Sequence, residues 1–187
     1  LISAKLGHFL DRPLTPIAKR IPFDPNTLTI CGFLITATAA IFIPFNLKVG
    51  GLLILLGGIF DMFDGVVARM NKKSTKFGAL LDSTLDRYAE AFIFLAIAWY
   101  FMQKSNALGA LLTMGSLVGA FLISYVRARS EGLDIDCHVG LIERPERVVL
   151  LCLGCLTGWL FQTMLVLFFL GHITAIQRIV HVYRAVK

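Results

Sequence analysis

Residues 49–86 read VGGLLILLGGIFDMFDGVVARMNKKSTKFGALLDSTLD. Val49 to Phe60 carry no charge, and four aspartates follow, two on either side of the polar, basic stretch Asn71 to Lys76. The uncharged run, continued to Arg69, has the length of a membrane-crossing helix. On helices, Asp61 and Asp64 share a face at spacing i, i+3, and Asp82 and Asp86 share one at i, i+4. A tight turn between the two helices would bring these faces together, so four carboxylates are expected to converge at one end of a helix pair.

The rest of the chain supports the membrane reading. Of 187 residues, 57% are hydrophobic and only 16% charged. Soluble domains carry about a quarter charged residues. Six apolar segments stand out, at 27–45, 49–69, 79–102, 107–129, 146–162 and 164–184. The expected fold is therefore all-α, with six transmembrane helices in one domain spanning 1–187. Residues 1–22 mix Leu6, Phe9, Leu10, Leu14 and Ile17 with Lys5, Arg12, Lys19 and Arg20, which suits an interfacial amphipathic helix. No secretory leader is expected, because the first apolar run begins after this charged stretch.

The formal net charge is +6. The charges sit between apolar runs, so they orient the chain in a membrane and do not point to nucleic acid. With both termini cytoplasmic, only Lys48 and Lys104 of the 18 Lys and Arg fall on the far side. The expected location is the plasma membrane, multi-pass, with the aspartates facing the cytoplasm. Cys152 and Cys155 have CxxC spacing, but no His lies near them in this Leu- and Gly-rich segment, so they read as packing residues.

Four clustered carboxylates repel one another unless cations neutralise them, and intramembrane charge is costly and usually functional. All-oxygen ligands suit Mg2+ or Mn2+. Two such ions clamp a diphosphate and stabilise a leaving phosphate. Gly65 and Gly78 leave room for a ligand to approach the helix backbone, and Arg69 is placed to neutralise a phosphate. A cation-coupled transporter is the rival from another class, since carboxylates also serve ion pathways. It leaves the two glycines and Arg69 without a role.

The segment resembles the signature of the CDP-alcohol phosphotransferase family, D-x2-D-G-x2-A-R-x8-G-x3-D-x3-D. Asp61, Asp64, Gly65, Ala68, Arg69, Gly78, Asp82 and Asp86 fill every fixed position. The resemblance implies a six-helix membrane enzyme, commonly a homodimer. It implies that Asp61, Asp64 and Asp82 ligate the metals, with Asp86 beside them as general base. It further implies that Asn26, Thr27, Leu28, Thr29, Asp61, Gly65, Ala68, Arg69, Thr75 and Gly78 surround the CDP moiety of an activated lipid.

Arginines crowd the second half. Arg127 and Arg129 end the fourth segment, Arg144 and Arg147 open the fifth, and Arg178 lies inside the sixth. Each alone suits a cytoplasmic helix end, and Glu143 or Glu146 offers some of them a partner. Arg178 has apolar neighbours and needs one. The stretches Ser124-Tyr125-Val126-Arg127-Ala128-Arg129-Ser130-Glu131 and Ile142-Glu143-Arg144-Pro145-Glu146-Arg147, with Gln177-Arg178, resemble the family's inositol phosphate subgroup, bacterial and archaeal. By that resemblance Ser124, Arg127, Arg147 and Arg178 bind inositol 1-phosphate. Arg127 stands where related members have Lys, which keeps the charge and changes the donor geometry. Glycerol 3-phosphate as acceptor, and CDP-inositol as donor, remain open alternatives. The four histidines show no ligand spacing, and Trp99, Tyr100 and Trp159 read as interfacial anchors.

Overall fold

The computed structural model describes residues 24–70 and 75–187, without the side chains of 68–70. The expected helix over 1–22 and the side chains of Ala68 and Arg69 lie outside the described residues. The described chain is all-α. Its helices are α1 (Pro25–Phe42), α2 (Leu47–Met70), α3 (Lys76–Gln103), α4 (Ala107–Glu131), α5 (Arg144–Thr157) and α6 (Leu160–Val186).

The boundaries follow from local chemistry. Pro25 opens α1 in its first turn, where no N–H is required. Asn46 Oδ1 accepts from the N–H groups of Lys48 and Val49 and so starts α2. Thr75 caps α3 by accepting from Gly78 N at 2.9 Å, and Asn106 caps α4 by accepting from Gly109 N at 2.8 Å. Glu143 and Glu146 form a reciprocal capping box around Pro145 at the start of α5.

One boundary departs from the expectation. The fifth apolar segment does not run to 162. Gly158 adopts a left-handed conformation (φ 79°), donates its N–H to Gly154 O, and ends α5 at Thr157. At 14 residues α5 is about 21 Å long. Among the described residues, four helices, α1, α2, α4 and α6, are long and apolar enough to cross a membrane. The other two differ for visible reasons. The first fifteen residues of α3 carry Asp82, Asp86, Arg87 and Glu90, and α5 is short.

The main packing contacts link the helices in a ring, α1–α2–α5–α6–α4–α3 and back to α1. Ile54, Phe94, Ile97, Phe101, Ile123, Leu151, Leu160, Met164 and Leu167 fill the interior. Ile41, Leu111, Phe169, Ile176 and many other large apolar side chains face outward, as lipid contact demands. Trp99 and Trp159 are among the exposed residues.

Close approach of α1 and α2 depends on small residues. A Cβ on Gly57 would collide with Thr36 Oγ1, the hydroxyl that donates to Gly32 O at 2.9 Å. Gly57→Ala is expected to lower stability by about 1–3 kcal/mol through this overpacking, read as a lower midpoint of thermal unfolding in detergent. Gly58→Ala is the control. Its Cβ meets only Val148 Cγ1 at 3.6 Å, so it is expected to be neutral or mildly stabilising.

Candidate active site

The end of α2 and the start of α3 bring the carboxylates together. Asp61, Asp64 and Asp82 each offer an oxygen, and these atoms lie within 4.8 Å of one another. Asp64 is buried, and its Oδ2 has no hydrogen-bond partner. The Thr29 hydroxyl of α1 lies against the same carboxylate. Asp86, one turn further along α3 from Asp82, stands outside this tight trio and is also buried. Its Oδ1 pairs with Arg144 Nη2 at 2.6 Å, and its Oδ2 lies 3.5 Å from Arg87 Nη1.

Arg144 and Glu90 were not singled out from sequence as site residues. Arg144 Nη1 donates to both oxygens of Asp61, at 3.1 and 2.9 Å, while Nη2 takes Asp86. One turn deeper, Arg147 forms a forked pair with Glu90, Nε to Oε1 at 2.6 Å and Nη2 to Oε2 at 3.0 Å. Asp86 and Glu90 are four apart on α3, and Arg144 and Arg147 are three apart on α5. The result is a two-rung ion ladder joining helices that are not packing neighbours in the ring. A signal for it was present. Glu90 is a lone acid in an apolar run and requires a cation somewhere in the bundle.

Below the ladder lies an apolar cavity of about 360 Å³ walled by α1, α2, α3 and α5. Gly32, Ile54, Ile59, Ile93 and Val148 are among its lining residues, and Thr29, Asp61, Asp86 and Arg144 also line it. The chamber is therefore oily, with charge gathered at the carboxylates.

The residues expected around CDP gather near the same end. A Cβ on Gly78 would lie 3.0 Å from both Asn26 Oδ1 and Thr75 Oγ1, so the start of α1 meets the start of α3 here. The room that glycine leaves at 78 is thus bordered by Asn26 and Thr75. Leu28 is buried against Val66 and Val67 and locks α1 to the end of α2. Thr27 is exposed, and Gly65 is half-buried on α2.

The residues expected to bind the acceptor do not share one open pocket. Ser124 and Arg127 line a surface pocket between α3 and α4 together with Arg87, and Arg127 Nε donates to Glu131 at 2.8 Å. Arg147 and Arg178 are each only 2% exposed. Arg178 donates to Val139 O at 2.9 Å and Ile123 O at 2.7 Å, and its Nη2 lies 3.3 Å from Glu143 Oε1. It pins the 132–143 loop to α4 and α6, helped by Thr174, whose hydroxyl accepts from the N–H groups of Leu141 and Ile142. Arg147 keeps one buried donor, Nη1, without a partner.

The CDP-alcohol phosphatidyltransferase family model matches residues 23–184, which contain the aspartates, the ladder and the cavity. The chain belongs to this family. It is a CDP-alcohol phosphotransferase, a multi-pass membrane transferase of phospholipid biosynthesis, and the transporter reading falls away. Archaetidylinositol phosphate synthase of Methanothermobacter thermautotrophicus is 37% identical over 183 residues, covering 94% of this chain and 91% of the relative. Phosphatidylinositol phosphate synthase of Mycobacteroides abscessus is 36% identical over 160 residues, covering 83% and 72%. The crystal structure of the Mycobacterium tuberculosis phosphatidylinositol phosphate synthase with CDP-DAG bound matches this phosphotransferase with a TM-score of 0.84 at 30% identity, over 92% of this chain and 94% of that one. The same enzyme in complex with manganese and citrate matches with a TM-score of 0.81 at 28% identity, over 93% and 87%.

Proposed function

We propose that this phosphotransferase moves the phosphate-linked lipid group of a CDP-activated lipid onto inositol 1-phosphate and releases CMP. The observation that carries the reading is the convergence of Asp61, Asp64 and Asp82 beside an apolar cavity that Asp61 and Asp86 line. Such a chamber suits a substrate with a diphosphate head and hydrocarbon tails. The acceptor is argued from the relatives, named for inositol phosphate lipids.

The residues fit a hard divalent ion. The donor set is all carboxylate oxygen, and Asp64 Oδ2 is a buried acceptor that a cation would satisfy. Asp61, Asp64 and Asp82 would hold Mg2+ or Mn2+, with Asp86 alongside, in a site for two ions. Metal bound there spreads the diphosphate charge and makes CMP a better leaving group.

The chain's own residues do the rest. The cavity walls hold the lipid tails. Asn26, Thr27, Leu28, Thr29, Gly65, Ala68, Arg69, Thr75 and Gly78 form the nucleotide side of the site. Asp86 accepts the proton of the attacking hydroxyl. The new oxygen–phosphorus bond forms as the bond to CMP breaks, and no phosphoenzyme intervenes. Arg147 offers its spare Nη1 donor to the acceptor phosphate, with Arg127 and Arg178 as further cations and Ser124 as a hydroxyl on the acceptor side. The enzyme works as a homodimer with both termini and the site on the cytoplasmic side.

The deciding experiment is CMP release by purified protein in lipid with a CDP-activated lipid and either inositol 1-phosphate, glycerol 3-phosphate or free inositol. Turnover is expected with inositol 1-phosphate. EDTA should abolish it, and added Mg2+ or Mn2+ should restore it. Turnover with glycerol 3-phosphate alone would overturn the acceptor assignment and point to phosphatidylglycerol phosphate.

A further inference from the structure

Arg144 has no role in the reaction as derived above, yet it makes the most direct contacts with the carboxylates. Its guanidinium spans the site. Nη1 holds both Asp61 oxygens, at 3.1 and 2.9 Å, and Nη2 holds Asp86 Oδ1 at 2.6 Å. Its Nε is buried without a partner, so the side chain spends all its paired donors on these two aspartates. The oxygens it covers on Asp61 belong to the same carboxylate that joins Asp64 and Asp82 within 4.8 Å. A divalent ion at that trio and the guanidinium of Arg144 therefore draw on one acceptor.

We propose that Arg144 is an internal counter-cation of the aspartate cluster, and that metal loading is an exchange in which the ion takes Asp61 from it. Without a cation, Asp61, Asp64, Asp82 and Asp86 would repel one another in a poorly solvated place. Arg144 offsets part of that repulsion and keeps the acids in ligating positions. It does so at the expense of metal affinity, because a positive charge about 3 Å from a ligand oxygen opposes an arriving cation. Arg144 is thus a positioning residue. The capping box at Glu143 and Glu146 and the buried Arg147–Glu90 rung fix α5, so the guanidinium is presented from a rigid turn.

This inference rests on the metal-site reading given under Proposed function. The test is Mn2+ binding, followed by electron paramagnetic resonance on the full chain in detergent, without substrates. Arg144→Gln removes the competitor and is expected to tighten Mn2+ binding at least tenfold. Arg144→Lys keeps the charge and is expected to stay within about threefold of wild type, which guards against a folding artefact in the Gln variant. The thermal stabilisation conferred by saturating Mn2+ should also be larger in Arg144→Gln than in wild type, a readout independent of turnover. Unchanged or weaker Mn2+ binding by a folded Arg144→Gln protein overturns the exchange and leaves the metal site standing. Absence of Mn2+ binding in wild type overturns both.

Discussion

Asp86→Asn is expected to cut kcat for CMP release by roughly 10²–10⁴-fold, the range for losing a positioned general base. The substitution is nearly isosteric, so the effect is chemical more than steric. Asn cannot take the hydroxyl proton, and it gives up the charge that pairs with Arg144. Arg144 retains Asp61, and Asp61, Asp64 and Asp82 still lie within 4.8 Å, so binding of the CDP-activated lipid should change little. The measurement is single-turnover CMP release beside equilibrium donor binding. A variant keeping more than about a tenth of wild-type turnover would remove Asp86 from the base role.

The second large effect is on stability. Arg147 and Glu90 are 2% and 3% exposed and bind each other through two hydrogen bonds. Arg147→Met alone strands a buried carboxylate, and Glu90→Leu alone strands a buried guanidinium. Each single change is expected to cost about 3–5 kcal/mol, whereas the double change should recover most of that loss. Thermal denaturation of the four proteins in one detergent completes the cycle. A double variant destabilised by the sum of the two single losses would show that the pair is not coupled. The same set probes the acceptor. A stable double variant with normal donor binding and a raised KM for inositol 1-phosphate is the expected signature of Arg147 Nη1 meeting the acceptor phosphate.

Local features of this chain were readable in advance. The i, i+3 and i, i+4 aspartate pairs needed only helical periodicity and a tight turn, and Asp61, Asp64 and Asp82 do meet. Asn46, Asn106 and Thr75 start their helices through side-chain bonds to N–H groups two or three residues on, a local signal that the sequence reading did not use. Long-range pairing was not readable. Arg147 and Glu90 are 57 positions apart, and Arg144 and Asp61 are 83 apart. Composition says that each buried charge needs a partner but does not choose it. Arg178 illustrates the difference, since its donors go to Ile123 O on α4 and to Val139 O and Glu143 in the 132–143 loop, 35 to 55 positions away. The end of α5 was missed because hydropathy passes smoothly across Gly158, whereas the backbone turns left-handed there.

The ladder's position along its helices has a further consequence. Asp61 lies nine residues before the end of α2, about 14 Å by helical rise, and Asp86 lies ten residues after the start of α3, about 15 Å. Arg178, tied to Glu143 at the start of α5, is eight residues short of the end of α6, about 12 Å. Asp61, Asp86 and Arg178 thus lie two to three helical turns inside the ends of their helices. In the proposed reaction the lipid's diphosphate need not climb out of its own leaflet. The water-soluble acceptor comes to the buried carboxylates, and its passage between these helix ends governs what reacts.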